Sequence, residues 1–195
     1  TKTQSLLHGD LHTGSIMCTT EDTKIIDPEF AFYGPMGFDI GALLANLLIS
    51  FFSQDGHDVK KGDGEKYKMW IIKTINKVWN DFELKFLNLW KKNPTGDVFS
   101  SVFFNNQEEI NLEKERKIFL KNIFHDSIGF AAAKMIRRMF GFAHNIDLEL
   151  IKDEKIRAQC ETKCTSLAIK MMINAKEYSN IEALTEDALK FNIND

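Results

Sequence analysis

Three carboxylates near the start of the chain lie in sequences typical of chemically active loops. Asp10 lies within His8–Ser15 (HGDLHTGS), where two glycines permit a sharp loop between extended segments. A carboxylate on such a loop can point into a cleft and accept a proton, which makes Asp10 a candidate base. Asp27 and Glu29 follow in an Asp-Pro-Glu sequence after an apolar segment. Taken singly, each of the two motifs is also typical of an ordinary turn.

The pair Asp27 and Glu29 has the composition of a magnesium site. Residues at i and i+2 of an extended chain project to the same side, and Pro28 fixes one backbone dihedral between them. Mg²⁺ prefers hard oxygen ligands, usually one or two carboxylates completed by waters and phosphate oxygens. We therefore expect Mg²⁺ as a cofactor and, with Asp10 as the base, a metal-assisted transfer of a phosphoryl group.

Charge and composition argue against several classes of partner. With 25 Lys and Arg against 28 Asp and Glu, the formal net charge is −3, whereas a nucleic-acid binder needs a basic surface. The most apolar run, Ile40–Phe52, is shorter than the roughly 20 residues that span a bilayer, so we expect a buried helix and no membrane partner. Three cysteines without the spacing of a disulfide framework indicate reduced thiols and a cytoplasmic location: Cys18, Cys160 and Cys164.

The elements that would position these carboxylates change in kind near residue 37. Short extended segments come first, at Ser5–Leu7, Ser15–Cys18 and Lys24–Ile26, with a hairpin turn expected at Thr19–Asp22. Residues 53–64 and 95–111 read as loops. Apolar periodicity in the remaining residues predicts helices. The first is Ile40–Phe52, with Asp39 as its N-cap, and the second is Glu65–Lys92, whose aromatic and aliphatic stripe would lie in the core. The others are Leu112–Ala143, as one or two helices around Gly129, then Glu149–Tyr178 and Ile181–Phe191.

Three segments in order carry a resemblance to a known family. They are His8–Ser15, residues 26–41 (IDPEFAFYGPMGFDIG) and residues 129–138 (GFAAAKMIRR). Together they resemble the aminoglycoside-phosphotransferase branch of the protein-kinase-like superfamily, and within it the 5-methylthioribose kinases of methionine salvage. A match of this length is more specific than a lone His-Gly-Asp. The resemblance is weakest at residues 53–64 and 95–111.

The resemblance implies a fold and a domain organisation. We expect a mainly α structure with a small β-hairpin region near the N-terminus, equivalent to the C-terminal lobe of a kinase-like fold. Residues 1–37 would supply the catalytic and metal-binding loops, and residues 38–195 a helical subdomain. A complete kinase also needs a glycine-rich loop and a strand lysine before the catalytic loop. Neither precedes Leu6, so we expect the ATP-clamping N-terminal lobe to be absent, the fragment alone to be inactive, and apolar surface to be exposed.

The resemblance also implies the roles of the acidic residues. Asp10 would orient and deprotonate the acceptor hydroxyl, and Asp27 and Glu29 would hold the magnesium ions that bridge the phosphates of ATP, the co-substrate. Kinases usually place an asparagine five residues after the base. That position is Ser15 here, a weaker ligand, so Glu29 would take over the carboxylate role.

Supporting roles are expected for four residues of this region: His8, His12, Ser15 and Asp39. Asp39 would accept hydrogen bonds from the backbone of the Asp10 loop, and His8 would be structural. The location of His12 stays open: two residues after Asp10 it could face the same cleft, but a lone loop histidine is usually a surface residue.

The paired arginines are assigned to the sugar by resemblance alone. Adjacent helical residues diverge by about 100°, so spacing favours a solvated role for at least one of Arg137 and Arg138. In methylthioribose kinases such a pair lies at the sugar site, which implies that Arg137 and Arg138 bind ribose hydroxyls and the transferred phosphoryl group. Phe32, Tyr33 and Met36 could line a methylthio pocket, although core packing is an alternative for each. Gly129 with the three alanines that follow Phe130 would let this helix approach its neighbours closely.

Three functional hypotheses follow. The first is phosphorylation of the 1-hydroxyl of 5-methylthioribose, with another small-molecule kinase of the same branch as its nearest alternative. The second is a non-catalytic binding scaffold or pseudokinase. The third is a metallohydrolase with His8, Asp10 and His12 around one metal. The family resemblance also implies a homodimer.

Overall fold

The computed structural model describes residues 3–57, 63–93 and 109–193, with the side chains of the last range described from residue 112 onward. Within these ranges, strands occur only in the first 34 residues, and the rest is almost entirely helical. Within the predicted loop at 53–64 only residues 58–62 lie outside the described residues, whereas the predicted loop at 95–111 lies outside them up to residue 108. Their described parts are helical, because Ser53–His57 continues the first long helix and residues 109–111 begin another.

The N-terminal region contains two small antiparallel sheets. β1 (Ser5–Leu7) pairs with β4 (Phe32–Gly34), and β2 (Ile16–Cys18) pairs with β3 (Thr23–Ile25). The β2–β3 hairpin confirms the predicted turn, in which the Thr19 hydroxyl accepts hydrogen bonds from the backbone N–H groups of residues 21 and 22. β4 was not predicted, because its partner β1 lies far away in the sequence.

The helices are longer than predicted at several ends. The third helix is continuous through Gly129. The helix predicted at Glu149–Tyr178 is shorter than expected, because it begins at Glu154, after the N-cap Asp153, and ends at Asn174, while Glu149 ends a separate short helical turn. The helices in the described part of the chain are α1 (Gly37–His57), α2 (Asp63–Lys92), α3 (Glu109–Phe140), α4 (Ile146–Glu149), α5 (Glu154–Asn174) and α6 (Ile181–Ile193).

α1 is the central helix of the core. It packs against α2, α3 and α5, and Leu44, Leu48, Phe51 and Phe52 are fully buried. Its length and mean hydropathy of 1.3 would suit a membrane span, but 61% of that window is buried inside the protein. The expectation of a buried core helix is therefore confirmed.

Glycines on α1 allow its first turns to lie directly against α3. A Cβ atom on Gly37 would meet the backbone nitrogen of Ser127 at 2.8 Å, and one on Gly41 would meet the Ser127 carbonyl oxygen at 2.5 Å. A Cβ on Gly129 would meet nothing within 4 Å. The prediction of close approach is thus wrong for Gly129. Of the alanines in the same prediction, Ala131 and Ala132 are fully buried, and the backbone nitrogen of Ala131 lies 2.9 Å from a Cβ built on Gly41.

The apolar stripe of α2 is only partly in the core. Ile71 and Ile75 are buried, whereas Trp70 and Leu89 are 53% and 62% exposed. Strand side chains are exposed as well, including Leu6 at 61% and Tyr33 at 69%. Apolar surface is therefore present on the strands and along α2.

Candidate active site

A cavity of about 450 Å³ lies where the N-terminal loops meet α1 and α3. One wall carries charged groups and the other carries phenylalanine rings. Its lining comes from the Asp10 loop (His8–Ser15), from the segment between β3 and β4 and the first residue of β4, from the first turns of α1 and from the last turns of α3. The lining residues are Gly9, Asp10, Phe30, Phe32, Phe38, Ala42, Phe130, Ala133, Lys134, Arg137 and Arg138.

Asp39 anchors the start of the Asp10 loop to α1. Its Oδ2 accepts the backbone N–H of His8 at 2.6 Å, and its Oδ1 accepts that of Gly9 at 3.0 Å. α1 begins at Gly37, so Asp39 lies in the first turn of the helix rather than at its N-cap as predicted. The predicted hydrogen bonds to the backbone of the Asp10 loop are present.

Asn46 anchors the other half of the loop. Its side-chain oxygen accepts hydrogen bonds from the backbone N–H of Thr13, at 3.2 Å, and from the Thr13 hydroxyl. Asn46 follows Asp39 by seven residues, which is two helical turns, so both side chains lie on the same face of α1. Sequence reasoning missed this contact, although a polar residue two turns from Asp39 in an apolar helix is a usable signal.

Gly9 brings the Asp10 loop against the segment that carries the second acidic motif. Its φ of +85° lies in the left-handed region, and a Cβ built there would lie 2.0 Å from the Phe30 carbonyl oxygen. A side chain at this position would therefore be excluded both by the backbone conformation and by the neighbouring backbone. This close approach keeps Asp10 next to Phe30 at the cavity.

His8 connects the same two segments by hydrogen bonds. Its Nε2 lies 2.8 Å from the carbonyl oxygen of Ile26, and its Nδ1 lies 3.3 Å from the backbone nitrogen of Asp10. A carbonyl needs a donor and an N–H needs an acceptor, so the pattern corresponds to the neutral ring protonated at Nε2. Both ring nitrogens are thereby occupied, which argues against His8 as a metal ligand in a His8–Asp10–His12 site.

Ser15 and His12 shape the loop from within. The Ser15 hydroxyl is buried, accepts the backbone N–H of His12 at 3.0 Å and lies 2.9 Å from the His12 carbonyl oxygen. The His12 Nδ1 accepts the backbone N–H of Gly14 at 3.0 Å. Ser15 is therefore occupied inside the loop and is poorly placed as a metal ligand. The His12 Nε2 faces Asp10 at 3.7 Å from Oδ2, so the ring is turned toward the base.

Basic side chains lie beside Asp10. Lys134 Nζ donates to Asp10 Oδ1 at 2.8 Å. Partial burial raises the pKa of Asp10, but the hydrogen bond and charge of Lys134, with smaller contributions from His12 and Arg138, outweigh it and leave the pKa below its ordinary value. Asp10 is thus held in the ionised form, ready to accept a proton.

Asp27 and Glu29 are both exposed on the segment between β3 and β4. The chain is not extended there as predicted, since β3 ends at Ile25 and Asp27 has a left-handed φ of 66°. The argument that an extended strand aligns the two carboxylates is therefore wrong. A hydrogen bond from Ala31 N–H to the Pro28 carbonyl at 3.0 Å instead closes a turn around Glu29.

The two carboxylates still fit the usual requirements of Mg²⁺. They are hard oxygen donors, and within the described part of the chain neither is engaged in an ion pair. No group of three or more His, Cys, Asp or Glu side chains capable of holding a metal occurs among the described residues. A site here would therefore be completed by waters and phosphate oxygens rather than by a protein cage.

The last turns of α3 bring the cationic wall of the cavity together. Lys134, Arg137 and Arg138 are spaced at i, i+3 and i+4, which places them on one side of a helix. Arg137 is exposed, and Arg138 is half-buried with its guanidinium donating to the Ala143 carbonyl oxygen at 3.1 Å. Both predicted arginines line the cavity. Lys134 was part of the recognised segment but was not predicted to contact Asp10.

Phenylalanine rings form the apolar wall. Phe38 packs edge-on against Phe32 and against Phe130, with ring centroids 5.3 Å apart in each pair. Of the three residues proposed for an apolar pocket, Phe32 lines the cavity, whereas Tyr33 and Met36 do not. Tyr33 points to solvent and Met36 packs against the core.

Comparison with known proteins identifies the relatives of this chain. Residues 1–68 match the model of the phosphotransferase enzyme family. The chain is 47% identical over 182 residues to methylthioribose kinase 1 of Oryza sativa subsp. japonica. It is 38% identical over 188 residues to a methylthioribose kinase of Escherichia coli and 37% identical over 183 residues to one of Bacillus cereus. The predicted resemblance to methylthioribose kinases is confirmed.

These matches cover 92–96% of the chain but only 41–45% of each relative. The chain thus spans about two fifths of the length of the curated relatives that it matches. The family match and the helical architecture with small strands near the N-terminus confirm the expected fold class. The expectations about a preceding ATP-binding lobe and about a dimer stay predictions.

Proposed function

We propose that this chain forms the catalytic and sugar-binding part of a kinase that uses ATP to phosphorylate the 1-hydroxyl of 5-methylthioribose, in methionine salvage. The observation that supports it most is the cavity in which Asp10 faces Arg137 and Arg138 on one side and phenylalanine rings on the other. The names and identities of the relatives support the choice of sugar. Residues 1–37 would carry the catalytic loops and residues 38–195 the helical subdomain.

Asp10 is the group that accepts the proton in this proposal. The sugar hydroxyl oxygen forms a bond to the γ-phosphorus of ATP, the bond between that phosphorus and the ADP oxygen breaks, and the hydroxyl proton passes to the Asp10 carboxylate. Asp10, like an ordinary aspartate, is deprotonated at neutral pH, and the ion pair with Lys134 lowers its pKa further, so the carboxylate can accept the proton when the substrate binds. Asp39 and Asn46 fix the loop that carries it.

Mg²⁺ would be held by Asp27 and Glu29, with the remaining ligand positions filled by water and phosphate oxygens. When bound, it would neutralise negative charge on the phosphates. The left-handed backbone at Asp27 and the turn closed by the Ala31 N–H fix the backbone that carries both carboxylates.

The two walls of the cavity match the two ends of the proposed sugar. The guanidinium groups of Arg137 and Arg138 would donate hydrogen bonds to ribose hydroxyls and to the transferred phosphoryl group. The rings of Phe32, Phe38 and Phe130 offer an apolar surface for the methylthio group, since sulfur makes favourable contacts with aromatic rings. A polar sugar of the same size would leave this wall without a matching partner.

A substrate panel tests the choice of sugar. The protein expressed from its full gene is incubated with Mg²⁺, ATP and one of methylthioribose, choline or an aminoglycoside, and ADP release is measured. We expect turnover with methylthioribose alone, because only this substrate combines ribose hydroxyls with an apolar methylthio group.

Turnover with choline or an aminoglycoside, but not with methylthioribose, would contradict the sugar and favour another kinase of the same branch. Absence of both ATP affinity and turnover would favour the binding scaffold. Activity restored by zinc but not by magnesium after chelation would favour the metallohydrolase.

A further inference from the structure

Lys134 holds one oxygen of the Asp10 carboxylate. Its Nζ lies 2.8 Å from Asp10 Oδ1, and the lysine side chain is only 14% exposed. Asp10 Oδ2 lies 3.7 Å from His12 Nε2, which is beyond hydrogen-bonding distance. The carboxylate is therefore asymmetric: Oδ1 accepts from a charged donor, whereas Oδ2 has, among the described residues, the more distant histidine beside it.

The position of Lys134 allows it to hold the Asp10 carboxylate in one orientation. Lys134 lies on α3, one turn before Arg137 and Arg138, and lines the same cavity. Ala131 and Met135, on its helix, are fully buried, so α3 is fixed against the core at this point. A lysine on a fixed helix turn can hold a carboxylate on a facing loop in one orientation.

We propose that Lys134 is a positioning residue for Asp10, fixing Oδ1 so that Oδ2 is the oxygen that receives the proton of the acceptor hydroxyl. This inference rests on the proposed function, and it adds to the active site a residue for which no role was expected from the sequence. The cations on α3 then have different roles, since Lys134 acts on the base whereas Arg137 and Arg138 act on the substrate.

The charges around Asp10 give the direction of its pH dependence. Lys134, Arg137 and Arg138 line the same cavity from α3. His8 and His12 lie on the loop of Asp10, and Asp39 lies behind that loop on α1. Asp27 and Glu29 lie on the segment between β3 and β4. Partial burial raises the Asp10 pKa, and Lys134 contributes most to its net lowering. Loss of the lysine charge should therefore raise the pKa, so that Asp10 becomes protonated, and inactive as a base, at a higher pH.

The test combines variants with a titration in the protein expressed from its full gene. Lys134→Met and Lys134→Gln should lower kcat by about tenfold or more, because Oδ2 would no longer be held toward the acceptor hydroxyl and a misplaced reacting group slows the chemical step. KM for the sugar should change little. The acidic limb of the kcat profile should move to higher pH in both variants. Lys134→Arg, which keeps a cation, should retain the wild-type limb. Lys121→Met removes an exposed lysine from the same helix and should leave the whole profile unchanged.

Titration of the Asp10 carboxyl by carbon NMR, assigned with Asp10→Asn, gives a readout that needs neither substrate nor a Lys134 variant. We expect the wild-type carboxyl to titrate below the ordinary range of aspartate. Titration in the ordinary range would overturn the proposal, as would neutral variants whose acidic limb stays in place. If methylthioribose is not a substrate, the proposed function fails while this titration still tests the contact.

Discussion

Asp39 shows how much of the active site depends on single side chains. Both of its oxygens accept backbone N–H groups, from His8 and Gly9, directly before the proposed base. Hydrogen bonds to a charged group contribute about 1.5–3 kcal/mol each, so this carboxylate can fix the start of the loop against α1. Asn46, two turns later, fixes Thr13 beyond the base. Asp10 is thus held from both sides by one face of one helix.

The three thiols should differ strongly in reactivity. Cys18 is exposed, whereas burial raises the pKa of Cys160 to about 11 and that of the fully buried Cys164 further still. Because the thiolate is the nucleophile, iodoacetamide at pH 8 should label Cys18 in the native protein and leave the other two unmodified. Peptide mass spectrometry measures the extent at each site. Rapid native labelling of Cys160 or Cys164 would contradict the packing of α5, and labelling after denaturation provides the reference for all three.

At the level of single residues, the sequence predicted the acidic motifs and the arginine pair but not the ion pair between Asp10 and Lys134. Asp10, Asp39, Arg137 and Arg138 follow from matched motifs. The ion pair between Asp10 and Lys134 joins residues 124 positions apart, so no local pattern indicates it. The left-handed backbone of Asp27 was missed for a different reason, since a non-glycine residue rarely adopts it and the apolar segment before it suggested an extended chain.

Among the elements, the contact between α1 and α3 decides whether the two walls of the cavity meet. α1 carries Asp39 and Phe38, and α3 carries Lys134 and the arginines. The absence of side chains at Gly37 and Gly41 allows the helix backbones to approach closely. Any widening of this contact would move the cationic groups away from the Asp10 loop.

Two glycine-to-alanine substitutions, compared with each other, test the close contact between α1 and α3. In Gly41→Ala the new Cβ would lie 2.5 Å from the Ser127 carbonyl oxygen, so the helices must separate. We expect a loss of about 1–3 kcal/mol in the free energy of unfolding. Gly129→Ala has open space around it and should instead stabilise α3 by about 0.5–1 kcal/mol. Urea denaturation measures both values. Equal effects of the two substitutions would contradict the proposed packing.

Helix locations were predicted better than helix ends. Apolar periodicity located α2, α3 and α6 because their buried faces repeat with the helical period. The continuation of α1 to His57 was missed, since glycine and polar residues after Phe52 suggested a loop. β4 was missed because its pairing with β1 depends on residues far apart in the sequence. Tertiary contacts decided both cases.

In the described part of the chain, the Asp10 loop and the cationic end of α3 line one cavity. Asp27 and Glu29 are not among its lining residues, although Phe30, which follows Glu29, is. The fold class follows from the sequence, through the motifs and the helical periodicity, and the relatives confirm it. The activity itself is a proposal, because the chain spans about two fifths of each relative. What the structure adds is the arrangement by which residues 8–15 and 134–138 face each other.

Replacement of Asp10 by asparagine is the sharpest test of the proposed active site. Asparagine keeps the size of the side chain but cannot accept the hydroxyl proton. With the protein expressed from its full gene and methylthioribose as the acceptor, we predict a fall in kcat of about 10²–10⁴-fold. Asp22→Asn, which changes an exposed aspartate in the β2–β3 turn, should keep the wild-type rate. An Asp10→Asn variant that folds normally and phosphorylates methylthioribose at the wild-type rate would contradict the assignment of this cavity as the active site.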